Sequence, residues 1–139
     1  MTAVPATILS AIVTIIAVLV YFYMGLAVGQ ARTKYKIAAP AMTGDPMFER
    51  AVRVHMNTLE QLVVFLPLLW IATVYFRTLA WLPAALGVLW IIGRVMYMQG
   101  YMAAPEKRGT GFGIAALANL GLLILAIVGI VMSWSAATA

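Results

Sequence analysis

Residues 49–62, ERAVRVHMNTLEQL, form the most polar stretch of this chain, and they run directly into VVFLPLLWIATVYF, fourteen residues without a charge. At ~100° per helical residue, with Arg53 at zero, Asn57 falls at about +40°, Glu60 at about −20° and Arg50 at about +60°. These four side chains share one face. Polar groups placed this deep in an apolar helix must pair or face a cavity. Two readings stay open at this point. In one, Arg53 and Glu60 compensate each other, together with Arg94, and hold helices together. In the other, the stripe binds a zwitterionic or anionic ligand: arginine suits a carboxylate, glutamate an ammonium group, and asparagine a peptide bond. His55 lies about 200° from Arg53, so it joins the same cluster only through a neighbouring subunit.

A second stripe follows downstream. Arg94, Tyr97 and Tyr101 are spaced three and four apart and face one way on a helix. Such residues also serve as plain interfacial anchors. Arg108 comes seven residues after Tyr101, beside Lys107, in a segment that would otherwise read as a solvated loop. The chain has no cysteine. Disulfides, thiolate metal sites and a cysteine nucleophile are therefore excluded, and any sulfur chemistry must use a thiol brought by the substrate. No metal site is expected.

The elements that carry these residues are apolar. The 139 residues are 65% hydrophobic and 9% charged, against about 25% charged in a soluble domain. Such a surface belongs in a bilayer. Four helices are expected at 4–34, 46–76, 79–102 and 110–135, each at or above the ~20 residues a span requires. They use nearly the whole chain, so residues 1–139 are expected to form a single all-α membrane domain, a four-helix bundle. Asp45-Pro46 suits the start of the second helix, as cap and first helical residue. Pro67 should free the Val63 carbonyl and bend that helix. Gly113, Ala116, Gly121 and Gly129 suggest close helix packing in the fourth, and Asn119 an interhelix hydrogen bond. The first helix is expected to be permanent, not a cleaved leader. All the basic residues except Arg77 cluster at one membrane face. This puts the 1–2 and 3–4 loops in the cytoplasm and both termini on the opposite side. The net charge of +5 then matches lipid headgroups, and nucleic acid is excluded as a partner. The compact loops suggest a bacterial inner membrane.

Taken together, these residues resemble the membrane-associated proteins in eicosanoid and glutathione metabolism, the MAPEG family. FERAVRVHMNTLE is similar to that family's F-E-R-x-x-R-x-x-x-N-x-x-E signature, and RVMYMQGY, followed by Arg108, to its R-V-x-Y-x-Q-G-Y segment and catalytic arginine. The resemblance implies a homotrimer with glutathione bound at subunit interfaces. It implies glutathione contacts from Arg53, Asn57, Glu60, Tyr97 and Tyr101, with Arg32 and His55 serving the adjacent subunit's ligand. Arg50 and Arg94 correspond to supporting charges, and Arg108 to the residue that activates the sulfur.

The implied activity is that of a membrane-bound glutathione transferase attacking a lipophilic electrophile, with glutathione-dependent reduction of lipid hydroperoxides as a related reaction. Two alternatives stand beside it: a non-catalytic lipid-binding or scaffold member of the family, and a small multidrug transporter. Gln61, Thr33 and Leu120 depart from the leukotriene-forming members, and Pro67 lies further from Glu60 than in the family. These departures leave the identity of the lipid substrate open.

Overall fold

A computed structural model describes residues 4–138; residues 1–3 and 139 of the expected domain lie outside the described residues. The chain forms four long helices: α1 (Ala6–Lys34), α2 (Pro46–Tyr75), α3 (Leu82–Ala103) and α4 (Gly109–Thr138), with a short 3-10 turn, Pro105–Arg108, between the last two. All four helices are long and apolar enough to cross a membrane.

Local chemistry sets the ends. α1 closes in a Schellman motif. Lys36 adopts φ 54°, and the amides of Lys36 and Ile37 donate to the carbonyls of Thr33 and Arg32. At the start of α2, the Asp45 carboxylate accepts from the Met47 and Phe48 amides at 2.8 and 3.3 Å, with Pro46 in the first turn. α3 begins at Leu82 rather than at 79, because Pro83 fills the first turn and residues 78–81 form a turn before it. α4 runs three residues further than expected, to Thr138, where the hydroxyls of Ser135 and Thr138 bond back to Val131 and Trp134 carbonyls.

The core lies where α2, α3 and α4 meet. Phe65 and Trp90 stack face to face, with ring centroids 4.1 Å apart and planes 4° apart. Leu69, Ala118 and Leu122 close around them without exposure. Glycine permits the closest crossing. A Cβ on Gly93 would lie 2.6 Å from the Ala115 amide nitrogen, and one on Gly111 would collide with the Tyr97 backbone. The small face of α4 that packs inward is thus Gly111, Ala115, Ala118, Ala126 and Gly129. Gly113 and Ala116 are not on it: nothing approaches a Cβ at Gly113, and Ala116 is exposed. α4 is apolar on every side, so sequence periodicity could not select its buried face.

Candidate functional site

The site forms at the end of the bundle where α2 begins and α3 ends. Two anchors fix that end. Arg50 donates from Nη1 to the Met102 and Ala103 carbonyls at 3.1 and 3.3 Å, placing a cation on the C-terminus of α3 where unpaired carbonyls gather. Arg50 thereby holds the two helices together. Gly100 provides the second anchor. A Cβ there would collide with the Lys107 carbonyl, so its absence lets the 3-10 turn lie against α3. That contact brings Arg108 back over the bundle, with its guanidinium carbon 5.4 Å from the Tyr101 ring centroid.

Two cavities open between these elements. One of ≈ 370 Å³ is lined by Arg53, Asn57, Tyr97, Arg108, Gly109 and Phe112. The other, ≈ 600 Å³, takes in Arg50, Arg53, Glu60, Tyr101, Thr43 and Pro105 among its lining residues. Arg53 is common to both. The six side chains expected from α2, α3 and the 3-10 turn, namely Arg53, Asn57, Glu60, Tyr97, Tyr101 and Arg108, therefore border this double cleft. Arg53, Glu60 and Arg108 are exposed, whereas Tyr97 is buried.

Beneath the cleft lies a hydrogen-bonded chain. Arg94 Nη2 donates to Asn57 Oδ1 at 3.1 Å and to Thr58 Oγ1 at 2.7 Å. Asn57 Nδ2 donates to Glu60 Oε2 at 3.1 Å. Glu60 thus receives its hydrogen bond from Asn57, and Arg94 meets Asn57 and Thr58, in place of the direct Arg53–Glu60 compensation that the spacing allowed. Thr58 was not legible as a participant, because its β-hydroxyl reads as an ordinary helix residue until Arg94 is placed over it. Phe112 was missed for a similar reason: it enters only because the turn at 105–108 swings α4 against Tyr97, whose ring centroid is 6.4 Å away.

Two expected residues lie elsewhere. Arg32 donates from Nη1 to the carbonyls of Ile37, Ala38 and Ala41 at 3.4, 3.2 and 2.8 Å, and its guanidinium covers the Phe48 ring at 4.8 Å. It organises its own 1–2 loop. His55 stacks on Tyr21 with centroids 4.4 Å apart, on the α1 side of α2. Neither lines the cleft of its own chain. Asn119 does make the expected interhelix bond, to Gln61 Oε1 at 3.3 Å. Among the described residues no group of three or more His, Cys, Asp or Glu side chains could hold a metal ion.

Four apolar helices of spanning length, with a basic, tyrosine-lined cleft at one end, define an integral membrane protein. The sequence model of the MAPEG family matches residues 10–128, and the chain belongs to that family. It is a multi-pass membrane protein. It is 41% identical over 119 residues to human microsomal glutathione S-transferase 2, covering 86% of this chain and 77% of the relative. Bovine leukotriene C4 synthase is 34% identical over 122 residues, 88% of this chain and 80% of the relative. An uncharacterized protein of the cyanobacterium Synechocystis is 42% identical over 120 residues, 86% of each chain.

Proposed function

We propose that this protein is a glutathione transferase that ionises the glutathione thiol and delivers it to a lipophilic electrophile dissolved in the bilayer. The observation that carries the reading is the smaller cavity, where Arg53, Asn57, Tyr97 and Arg108 converge. Glutathione has two carboxylates, an ammonium group, two peptide bonds and a thiol. Arg53 suits a carboxylate, Asn57 a peptide group and Glu60 the ammonium.

Arg108 acts on sulfur. A thiol with pKa ~8.5 is only a few per cent ionised at neutral pH. Lowering that value by ~2 units requires about 2.7 kcal/mol, within reach of a charge-assisted contact in a partly desolvated cleft. The proton leaves to solvent. The thiolate then forms a carbon–sulfur bond as the electrophile's leaving group departs with its electron pair. With a lipid hydroperoxide the same thiolate attacks the terminal peroxide oxygen, the O–O bond breaks and the lipid alcohol leaves after taking a proton; a second glutathione thiol then displaces water from the resulting sulfenic acid to give the disulfide.

The assembly belongs to the same proposal. Arg53, Met56, Glu60 and Val63 form an exposed stripe along α2, and charged groups on a spanning helix require partners. A second and third copy would cover this stripe and bring Arg32 and His55 toward a neighbour's cleft, as a homotrimer. The clustered basic residues favour the cytoplasmic side for the cleft. The cyanobacterial relative favours a bacterial membrane.

The test is conjugation of glutathione to an aryl halide by purified protein in detergent, beside Arg108→Ala. Glutathione-dependent turnover that is lost in the variant is expected. No turnover with an aryl halide or an organic hydroperoxide, despite glutathione binding, would favour the non-catalytic reading.

A further inference from the structure

Among the described residues, Arg94 is the only charged side chain with no exposure. Its surroundings are unusual for a buried cation. Its guanidinium carbon lies 4.1 Å from the centroid of the Tyr97 ring, and Nε and Nη1 make no hydrogen bond. All its hydrogen bonding runs through Nη2, to Asn57 and Thr58. Thr58 spends its own proton on the Val54 carbonyl at 2.8 Å, so its oxygen is left to accept. A carboxylate is reached only at one remove, through Asn57 to Glu60.

The chemistry of the three groups fixes the middle one. A guanidinium only donates and an ionised carboxylate only accepts. An amide between them satisfies both in a single orientation, oxygen toward Arg94 and nitrogen toward Glu60. That is the orientation found. Hydrogen bonds in such a chain polarise one another, and a desolvated charge acts with little screening. Asn57 therefore connects a buried positive charge to a carboxylate at the edge of the cleft.

We propose that Arg94 is a positioning residue: through the Asn57 amide it orients the Glu60 carboxylate as an anion facing the cleft, and so sets the site's selectivity for a ligand bearing an ammonium group. This rests on the glutathione reading above, in which Glu60 meets the γ-glutamyl amine. A purely structural Arg94, pinning α3 to α2 through Thr58, would have a different signature. Its loss would loosen the cleft for every ligand alike.

The experiment compares two ligands by calorimetry on purified protein in detergent: glutathione, and its desamino analogue in which hydrogen replaces the γ-glutamyl amine. Wild type should prefer glutathione by about tenfold or more. In Arg94→Met the preference should fall to within about twofold, with affinity for the analogue changed by no more than about twofold. Glu60→Gln should show the same collapse. Arg94→Lys, which keeps the charge on one donor group, should retain an intermediate preference. If Arg94→Met does not assemble, the ratio in Arg94→Lys decides. Wild-type discrimination that persists undiminished in the Arg94 variants overturns the inference and leaves the glutathione reading standing. Wild type that binds glutathione without preferring it overturns the assignment of Glu60 and the inference with it. Wild type that binds neither ligand overturns both the glutathione reading and the inference.

Discussion

In the second half of α2 the Thr73 hydroxyl is closed off within the bundle, whereas in the first half the charged side chains of Arg53 and Glu60 are left open. Thr73 donates to the Leu69 carbonyl and pairs with Ser10 at 2.7 Å, fully inside the protein. Phe65 stacks on Trp90 nearby. Nearer the start of the same helix Arg53 and Glu60 are exposed, and Arg94 of α3, packed beside them, keeps two donors unpaired. One helix is thus closed within the bundle at one end and open to a cleft at the other. Hydroxyls that satisfy each other hold the bundle together, whereas exposed charges on a spanning helix call for partners from outside it.

The comparison is most easily broken at the α3–α4 crossing that underlies the open end. Gly111→Val would drive a side chain into the Tyr97 backbone. The helix backbone cannot yield as a flexible side chain can, and overpacking of this kind costs about 1–3 kcal/mol or more. The expected outcome is loss of folded, assembled protein by size-exclusion chromatography. Gly113→Ala, in open space, should leave the profile unchanged. A folded Gly111→Val protein with normal glutathione binding would mean that the α3–α4 crossing does not fix the cleft.

The next effect belongs to the open end and to one residue. Arg108→Ala should lower kcat by about 100-fold or more, as loss of a preorganised electrostatic contact does, with a much smaller loss of glutathione affinity. The thiolate can be followed by its ultraviolet absorbance as pH is raised. In wild type the bound thiol should ionise below the free value; in Arg108→Ala it should return toward it. Arg108→Lys should rescue in part. Tyr97→Phe and Tyr101→Phe are the controls, since a phenol could also donate to sulfur. A thiolate signal that survives in Arg108→Ala and vanishes in Tyr97→Phe would transfer the activating role to the tyrosine.

How far this division was legible in the sequence depends on what each residue needs. The polar stripe of α2 follows from helical spacing alone, and so do the Asp45 cap and the placement of His55 on the far side. Those depend on a single element. Arg94 was visible as a charge near the site, but its bridge to Glu60 requires the rotation of α3 against α2, which spacing does not contain. The position of Arg108 over Tyr101 depends on Gly100 admitting the Lys107 carbonyl, a contact between segments. The close packing expected of α4 is found within the chain at Gly121 and Gly129 but not at Gly113 and Ala116, because a helix apolar all round gives no phase. Elements and the faces that carry charge were readable, whereas most relations between elements, the Asn119 bond apart, were not.

A smaller effect sharpens the comparison at its centre. Arg53→Ala and Glu60→Ala should each weaken glutathione binding by at least about tenfold, or ~1.4 kcal/mol, by stranding a charged ligand group. Both variants should still assemble, and native mass spectrometry should give a trimer for them and for wild type. Unchanged affinity in trimeric variants would make the stripe structural. A fully active monomer or dimer would remove the shared-site arrangement.

The smallest effect is expected where polar groups are already closed off. Ser10 and Thr73 are both buried and bond to each other, so replacing both removes a donor and an acceptor together. Ser10→Ala with Thr73→Val leaves no partner stranded, and such paired replacements are close to neutral. Ser10→Ala leaves Thr73 its intrahelical bond to the Leu69 carbonyl at 2.7 Å, and Thr73→Val frees the Ser10 hydroxyl to turn to a carbonyl one turn back on its own helix. The cost of a single change should therefore stay near the ~0.6 kcal/mol average for hydrogen bonds between membrane helices. Thermal unfolding in detergent should show a drop of a few degrees at most, and glutathione affinity should not move in any of the three variants. A tenfold loss of affinity from Ser10→Ala would mean that the closed end of α2 is coupled to the open end, and the division of the helix into two regions would fail.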